Sequence, residues 1–154
     1  MHQVDERRNP RTKARVNQLM DRYLELLDVE LTTRKRYEDS IQNHIRPLLG
    51  NLPIGKLNGE TLDAFHAILR RCRAHCDGRP FIEHRVNGSH ECTKQCRPHT
   101  CSPLAASSIR KVHFCLSGAL KRAARWRWIS VNPLEEAEPP RAAKHCSIWT
   151  RRCS

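Results

Sequence analysis

Residues 107 to 128, SSIRKVHFCLSGALKRAARWRW, predict a long amphipathic helix with Ser107 or Ser108 as its N-cap. Successive residues of an α-helix are turned by about 100°. That turn places the apolar residues on one arc: Ile109, Val112, Leu116, Ala119, Leu120 and Ala123. The opposite arc holds the polar residues Arg110, His113, Ser117, Lys121 and Arg125. No acidic residue occurs between Ser102 and Trp128, so we expect one core face and one cationic face.

Three shorter helices are predicted before it from the same kind of spacing. The first runs from Val16 to near Val29, with apolar residues at Val16, Leu19, Met20, Tyr23 and Leu27. The second begins with Thr32 or Thr33 as N-cap and ends before Gly50, with its apolar stripe at Tyr37, Ile41, Ile45 and Leu48. The third follows Asn58 as N-cap and carries Leu62, Phe65, Ile68, Leu69 and Cys72. The predicted fold class is therefore all-α, a four-helix bundle.

The chain is strongly basic. Its 154 residues include 28 Lys and Arg against 16 Asp and Glu, a formal net charge of +12. Such a charge favours a polyanionic partner, nucleic acid first and an anionic membrane surface second. No apolar run is long enough for a membrane span, and MHQVDERRNP at residues 1 to 10 is charged where a signal peptide needs apolar residues. We therefore expect a cytoplasmic protein with no membrane partner.

Residues 72 to 103 lack helical periodicity and are rich in cysteine and histidine, which predicts an insert before the last long helix. Cytoplasmic cysteines stay reduced, so we expect free thiols or metal ligands rather than disulfides. This density of soft ligands suits a structural, tetrahedral Zn²⁺. The predicted ligands are Cys92, Cys96, His99 and Cys101, with His90, Cys72 or Cys76 as alternatives to His99. The opposing interpretation is a flexible insert with free thiols, in which Cys72 and Cys115 are buried as small apolar residues.

The two ends of the chain differ in character from its middle. Residues 1 to 12, with Arg7, Arg8 and Arg11, predict a flexible basic arm. Residues 13 to 134 form the predicted helical domain. The Asn132-Pro133 pair ends the periodic pattern, and residues 135 to 154 are interpreted as a linker followed by an atypical, truncated tail.

Three stretches resemble the core-binding, SAM-like domain of phage-type tyrosine recombinases, or integrases, of the actinobacterial type. They are TTRKRYEDSIQNHIRPLLGNLPIGKL at residues 32 to 57, HECTKQCRPHTC at 90 to 101 and LAASSIRKVHFCLSGALKRAARWRWISVNPLEEAEPP at 104 to 140. The resemblance implies a bundle that forms half of a clamp around DNA, while a separate C-terminal domain supplies the tyrosine nucleophile. RAAKHCSIWTRRCS at residues 141 to 154 does not resemble the beginning of that catalytic domain. We therefore expect DNA binding in site-specific recombination and phage integration, without enzymatic activity.

The expected DNA-contacting residues lie in the second helix and along the last one. Arg34, Lys35 and Arg36 are cations in a first helical turn, where the helix dipole disfavours them, which favours an external phosphate. The full predicted set is Thr33, Arg34, Lys35, Arg36, His44, Ser107, Ser108, Arg110, Lys111, His113, Lys121 and Arg125. Helix capping or a merely solvated face is the alternative for these residues.

The expected partners are double-stranded DNA and, beside it, an intact integrase or a separately encoded catalytic half. Two other functions remain compatible with the sequence. One is a zinc-stabilised protein-interaction module whose basic face is only solvated, and the other is an active recombinase assembled with such a catalytic half. Tyr23 and Tyr37 are the only tyrosines, and both fall in bundle helices, where core packing is expected rather than covalent catalysis.

Overall fold

A computed structural model describes residues 13–92, 94–135, 137 and 139–140. The predicted basic arm at residues 1–12 and the predicted tail at 141–154 lie outside the described residues. In the part that is described, no helix combines the length and the apolarity that a membrane span requires.

Helices make up almost all of the regular structure. They are α1 (Val16–Glu25), α2 (Leu31–Ser40), α3 (Arg46–Leu49), α4 (Gly59–Arg71) and α5 (Ala106–Arg125), with short 3-10 turns at Ile54–Lys56 and Pro133–Glu135. A π-helical segment, Ile41–Ile45, joins α2 to α3 without a break, so these pieces together form the second of the four predicted helices. Strands β1 (Ile82–Glu83) and β2 (Arg97–Pro98) lie within the insert. The predicted all-α fold, with a Cys/His-rich insert before the last helix, is confirmed.

The apolar stripe of the second helix accounts for its π-helical segment. Behind the half-buried Tyr37, its buried residues recur every four positions, at Ile41, Ile45 and Leu49. In an α-helix, residues four positions apart are displaced by about 40° around the helix axis. A π-helical turn contains more residues than an α-helical turn, so the π-helical segment offsets this displacement. The segment therefore keeps the stripe on one side of the helix. Leu48, predicted in this stripe, is only half-buried, and Leu49 is buried in its place.

The predicted helix caps are confirmed at one position. Asn58 accepts a hydrogen bond from the backbone N–H of Thr61 at 2.8 Å, as an N-cap should. The other predicted caps are wrong. They lie inside helices that begin without a side-chain cap: Thr32, Thr33, Ser107 and Ser108. A cap contributes only about 1 kcal/mol, less than one buried aliphatic side chain, so packing decides where these helices begin.

The apolar arc of α5 forms the centre of the core. All six residues predicted on this arc are buried, none more than 4% exposed. They belong to one cluster with the buried residues of α1 and α4, among them Leu19, Met20, Leu62 and Phe65. Truncating a buried leucine in such a cluster costs about 2–5 kcal/mol. The first helix ends at Glu25 rather than near Val29, because Leu26 and Val29 are exposed and offer no apolar face to extend.

Two backbone hydrogen bonds close the base of the insert. The N–H of Arg73 donates to the carbonyl of Ser102 at 2.8 Å, and the N–H of Leu104 donates to the carbonyl of Leu69 at 3.0 Å. The end of α4 and the beginning of α5 therefore lie side by side, although the insert separates them in sequence. Further out, β1 and β2 pair antiparallel, with Glu83 opposite Arg97.

The chain after α5 packs back onto the bundle. Leu134, Ala137 and Pro140 are buried, and the guanidinium of Arg110 donates to the carbonyl of Pro140 at 3.0 Å. These residues fall in or beside the predicted linker. Among the described residues of that linker, Ala137 and Pro140 pack against the domain, because their apolar side chains find a surface on which to bury.

A buried pair of histidines joins α4 to α5. His66 is 2% and His113 is 6% exposed, and Nδ1 of His113 lies 3.3 Å from Nε2 of His66, so one ring donates and the other accepts. His113 was expected on the polar arc, but it lies at the edge of the apolar arc, where α4 covers it. Burial, and then the proximity of His113, lowers the pKa of His66 to about 4. Burial also lowers the pKa of His113.

Acid should therefore destabilise the fold through this pair. The ordinary pKa of His66 is 6.5, and its folded value is about 4. We predict that the free energy of unfolding falls as the pH drops between these values, because the unfolded chain accepts a proton that the folded protein resists. At about 1.4 kcal/mol per pKa unit, the loss is at most about 3 kcal/mol.

The measurement compares the wild type with a His66→Gln variant, whose side chain keeps hydrogen-bonding groups but does not titrate. Urea unfolding at about pH 7 and about pH 4.5 gives the two free energies. The variant should lose the part of the pH dependence that His66 contributes, so its two free energies should differ less than those of the wild type. The remainder comes from other groups such as His113 and His44, whose pKa values burial also lowers. The nearby charges partly offset each other, since Asp63 raises the pKa of His66 and Arg70 lowers it. An equal pH dependence in both proteins would contradict the prediction.

Candidate metal centres and nucleic-acid interface

Four side chains meet where the insert leaves α4. Sγ of Cys72 lies 3.1 Å from Nε2 of His99, and Sγ of Cys76 lies 3.2 Å from Sγ of Cys101. The four ligand atoms all lie within 4.8 Å of one another. With Zn–S bonds of about 2.3 Å, the edges of a zinc tetrahedron measure roughly 3.8 Å. We call these four residues the Cys72 cluster, and their ligand atoms lie close enough together to hold one metal ion.

The local backbone brings the ligands of the Cys72 cluster together. Cys72 ends α4 in an extended conformation. His75 follows with φ 55°, in the left-handed region, so the chain reverses direction and brings Cys76 back beside Cys72. His99 and Cys101 come from the other side of the insert, directly after β2. The cluster therefore joins the two ends of the insert.

The imidazole of His99 is held in a fixed orientation. Its Nδ1 lies 2.6 Å from Oε1 of Glu83, which leaves Nε2 to face Cys72. The ring of Phe81 stacks on it, with ring centroids 4.3 Å apart. A carboxylate behind a histidine is the usual outer partner of a metal-bound imidazole. The same hydrogen bond raises the pKa of His99 to about 9, so without a metal the facing nitrogen carries a proton, which a metal ion replaces.

The thiol of Cys72 is predisposed to ionise. A hydrogen bond from the backbone N–H of Cys76 lowers the pKa of Cys72 to about 6, against the opposing effect of burial. Further hydrogen bonds, among them those from the N–H of Ala74 and from His99, act in the same direction. The thiolate is the form of cysteine that binds metal ions. The surroundings of Cys72 thus favour the ligand form of this side chain.

A second group of four ligands lies within the insert, at His84, His90, Cys92 and Cys96, whose ligand atoms also lie within 4.8 Å of one another. Nε2 of His90 lies 3.3 Å from Sγ of Cys96, and Nδ1 of His84 lies 3.7 Å from Sγ of Cys92. Nδ1 of His90 donates to the carbonyl of Gly88 at 3.0 Å, so Nε2 is again the nitrogen that faces a thiol. We call these four residues the Cys92 cluster.

The four ligands predicted from the sequence are divided between the two clusters. Cys92 and Cys96 lie in the Cys92 cluster, whereas His99 and Cys101 lie in the Cys72 cluster. Three of the remaining places are taken by the predicted alternatives Cys72, Cys76 and His90, and the fourth is taken by His84. Local spacing does not reveal this division, because β2 lies between residues 96 and 99 and directs them towards different groups. All six described cysteines are free of disulfides.

The exposed arc of α5 presents cations to solvent. Lys111, Lys121 and Arg125 are exposed, and the ion pairs found among the described residues include no cation of α5. Phe114, which the sequence prediction missed, is 55% exposed on the same arc, with the guanidinium of Arg110 5.3 Å from its ring centroid. Its position among the polar residues of the predicted helix is the feature of the sequence that could have revealed its exposure. We call these five residues the α5 basic face.

Two arginines of α5 also stabilise the domain itself. Arg110 donates to the carbonyl of Pro140, which holds the end of the described chain against α5. Arg122 lies over the ring of Tyr23, 5.4 Å from its centroid, and donates to the carbonyl of Leu26 at 3.3 Å. Lys111, Lys121 and Arg125 therefore remain the cations of this helix that are most available to a partner.

The predicted DNA-contacting residues of α2 are less uniformly available. Arg34 pairs with Glu38 at 3.0 Å on the half-buried side of the helix, where Thr33 is also half-buried. Lys35 and Arg36 are exposed, but Asp39 lies on the same outer face and reduces its positive potential.

The other predicted contacts lie in three different surroundings. Nδ1 of His44 lies 3.0 Å from Nε2 of His75, so this ring links the second helix to the insert, and burial lowers its pKa. Ser107 is exposed in the first turn of α5, one turn before Lys111, and Ser108 is half-buried beside it. The ring of His113 is buried against His66. Of these residues, Ser107 is the one that extends the α5 basic face.

Both tyrosines pack between helices. Tyr23 is 5% exposed, and burial raises its pKa to about 12. Tyr37 meets it edge to face, with centroids 6.3 Å apart. Gly118 of α5 permits this approach, because a Cβ there would lie 2.7 Å from the Tyr23 hydroxyl. A buried phenol with a raised pKa is a poor nucleophile.

The comparisons with known proteins concern the first part of the chain. Residues 16–69 match the model of the family described as phage integrase, N-terminal SAM-like domain. This match extends from the beginning of α1 almost to the end of α4, so the insert and α5 lie outside it. No curated protein and no solved structure matches the chain. Residues 16–69 are therefore similar to the N-terminal SAM-like domain of phage integrases, which agrees with the resemblance to the tyrosine recombinases seen in the sequence.

Proposed function

We propose that this protein binds double-stranded DNA as the core-binding part of a phage-type site-specific recombinase. The observation that carries the proposal is the α5 basic face, a helical surface with exposed cations and no acidic residue anywhere along the helix. The family of residues 16–69 supports a role in recombination. The formal net charge of +12 supports a polyanionic partner.

The basic face is suited to the DNA backbone rather than to particular bases. Lys121 and Arg125 are separated by one helical turn, and each can neutralise a phosphate. Phosphate contacts position a protein on DNA without reading its sequence. Phe114 adds an exposed apolar ring beside Arg110, which can contact sugars or the methyl group of thymine. We therefore expect binding that tolerates different sequences, in the non-specific range of roughly 10⁻⁴ to 10⁻⁶ M at physiological salt.

The second helix supplies a weaker contribution in this proposal. Lys35 and Arg36 are exposed and can reach phosphates, although Asp39 lies between them on the helix surface. Arg34 contributes less, because its charge is already paired with Glu38. The expected order of importance is therefore the α5 basic face first and the beginning of α2 second.

We further propose that the described domain binds DNA without chemistry of its own. The buried phenol of Tyr23 and the half-buried Tyr37 argue against a nucleophile in the bundle. Cleavage would then require a catalytic half supplied by another domain or chain, and an intact integrase is the natural competitor for the same DNA. Reduced thiols in both clusters accord with the cytoplasm as the place of action.

A protein-interaction module is the second candidate function. The insert exposes three apolar side chains, Phe81 at 41%, Ile82 at 49% and Val86 at 41%. Exposed apolar residues on one segment favour a protein partner over DNA. In this alternative the α5 basic face is only solvated, so the two candidates differ in whether that face contributes to binding.

A second prediction separates these candidates by the salt dependence of DNA binding. In the double variant Lys121→Ala, Arg125→Ala, affinity for any duplex should fall, and the slope of log K against log salt should become shallower by about two, since two phosphate contacts are lost. Fluorescence anisotropy at several salt concentrations, with a recombination-site duplex and an unrelated one, gives both quantities.

The matched control for this variant exchanges the two side chains, Lys121→Arg with Arg125→Lys, which keeps the charge and the helix propensity. It should bind almost as the wild type does, because phosphate contacts depend mainly on charge. If the alanine variant binds both duplexes with unchanged affinity and slope, the α5 basic face takes no part in DNA binding and the protein-interaction module is favoured.

A third prediction concerns covalent chemistry on DNA. Incubation of the protein with a suicide substrate carrying a recombination site should produce no covalent protein–DNA adduct, since both tyrosines pack between helices. Denaturing gel electrophoresis detects such an adduct. Tyr37→Phe should bind DNA as the wild type does. An adduct that this variant or Tyr23→Phe abolishes would overturn the non-enzymatic proposal.

A further inference from the structure

The two groups of cysteine and histidine in the insert have the composition of structural metal sites. The Cys72 cluster offers three thiols and one imidazole, and the Cys92 cluster offers two of each. Four nitrogen and sulfur ligands in tetrahedral spacing are the preferred surroundings of a structural Zn²⁺. We propose that the insert binds two Zn²⁺ ions, one in each cluster, and that they act as separate structural centres. This proposal does not depend on the DNA-binding function.

The order of the ligands along the chain makes the two sites independent. The Cys72 cluster takes the first two and the last two ligands of the insert, and the Cys92 cluster takes all four between them. The ligand sets are therefore nested rather than interleaved. β1 lies between Cys76 and His84, and β2 lies between Cys96 and His99. On each strand, the paired segment therefore separates the ligands of one cluster from those of the other. One zinc would close the base of this hairpin, and the other would close its loop.

Each cluster also contains a histidine that is oriented from behind. Glu83 holds Nδ1 of His99, and the carbonyl of Gly88 holds Nδ1 of His90, so Nε2 points to a cysteine in both cases. Outer hydrogen bonds of this kind fix the tautomer and the ring orientation of metal-bound histidines. If the insert were flexible and its thiols free, nothing would require a histidine to be oriented in this way in both clusters.

The two ions should contribute unequally to the stability of the bundle. Cys72 is buried at the end of α4, and Cys101 precedes the residues that begin α5. The hydrogen bonds Arg73–Ser102 and Leu104–Leu69 lie directly beside this cluster. A zinc ion there would hold α4 and α5 together at their shared end. The Cys92 cluster is enclosed within the insert by sequence, so its ion would order the insert alone.

The test uses the full chain, purified in the presence of zinc and then dialysed. We expect about two zinc ions per chain by atomic absorption. Five of the eight cysteines, those in the clusters, should resist a thiol reagent until a chelator is added. Substitution with Co²⁺ should give the intense visible bands of tetrahedral thiolate sites, with a stepwise change as each of about two equivalents is added.

Two serine variants assign the sites. Cys76→Ser removes a half-buried thiol from the Cys72 cluster, and Cys92→Ser removes an exposed one from the Cys92 cluster. Each variant should retain about one zinc ion. Cys76→Ser should lower the thermal midpoint of the helical signal by several degrees, whereas Cys92→Ser should leave it nearly unchanged. Cys115→Ala, which removes a buried thiol outside both clusters, is the matched control and should retain both ions.

The possible contrary results are distinct from one another and from failure of DNA binding. One zinc or less per wild-type chain would overturn the two-site proposal. So would cysteines of both clusters that react freely with the reagent in the folded protein. Retention of both ions by Cys92→Ser, or loss of both ions from it while the helical signal persists, would overturn the independence of the sites. The metal content is measured without DNA, so none of these results depends on the proposed function.

Discussion

The burial of the apolar arc of α5 is the interaction on which the rest of the structure depends. The residues of that arc lie in one cluster with those of α1, the second helix and α4, so this helix holds the bundle together. The same packing fixes which side chains remain outside. Because the arc faces inwards, Lys111, Phe114 and Lys121 face solvent on a rigid helix. The basic surface is thus a consequence of how the core is made, and weakening the core would also disorder that surface.

The insert interrupts the chain between two helices that must pack together. A long excursion between α4 and α5 has an entropic cost when its ends are brought together. The hydrogen bonds at Arg73 and Leu104 hold those ends, and the Cys72 cluster lies beside them. A metal ion that binds the folded arrangement would offset this cost, because its binding free energy adds to that of folding. Metal content and the stability of the proposed DNA-binding surface are therefore expected to be coupled through α5.

Several polar residues that suit a DNA contact by type serve the fold instead. His113 hydrogen-bonds with His66, His44 links the second helix to His75 of the insert, and Arg34 is paired with Glu38. Each of these pairs joins two elements or two turns. Of the predicted cations, Lys111, Lys121 and Arg125 of α5 and Lys35 and Arg36 of α2 stay exposed. Charge alone therefore overestimates the proposed binding surface, and pairing within the fold reduces it to one face of α5 and part of α2.

The sequence by itself determined the helices, the core residues of α5 and the nature of the insert, because these depend on periodicity and on ligand chemistry that act over short distances. The N-cap at Asn58 was predictable for the same reason, because it depends on residues that are close in sequence. Only the tertiary structure decided the division of ligands between two clusters, since the pairing of β1 with β2 brings residues together that are distant in sequence. It also decided the burial of His113, which lies at the edge of an arc and is covered by α4. Local spacing specifies faces, whereas contacts between distant segments specify which polar groups on those faces stay free.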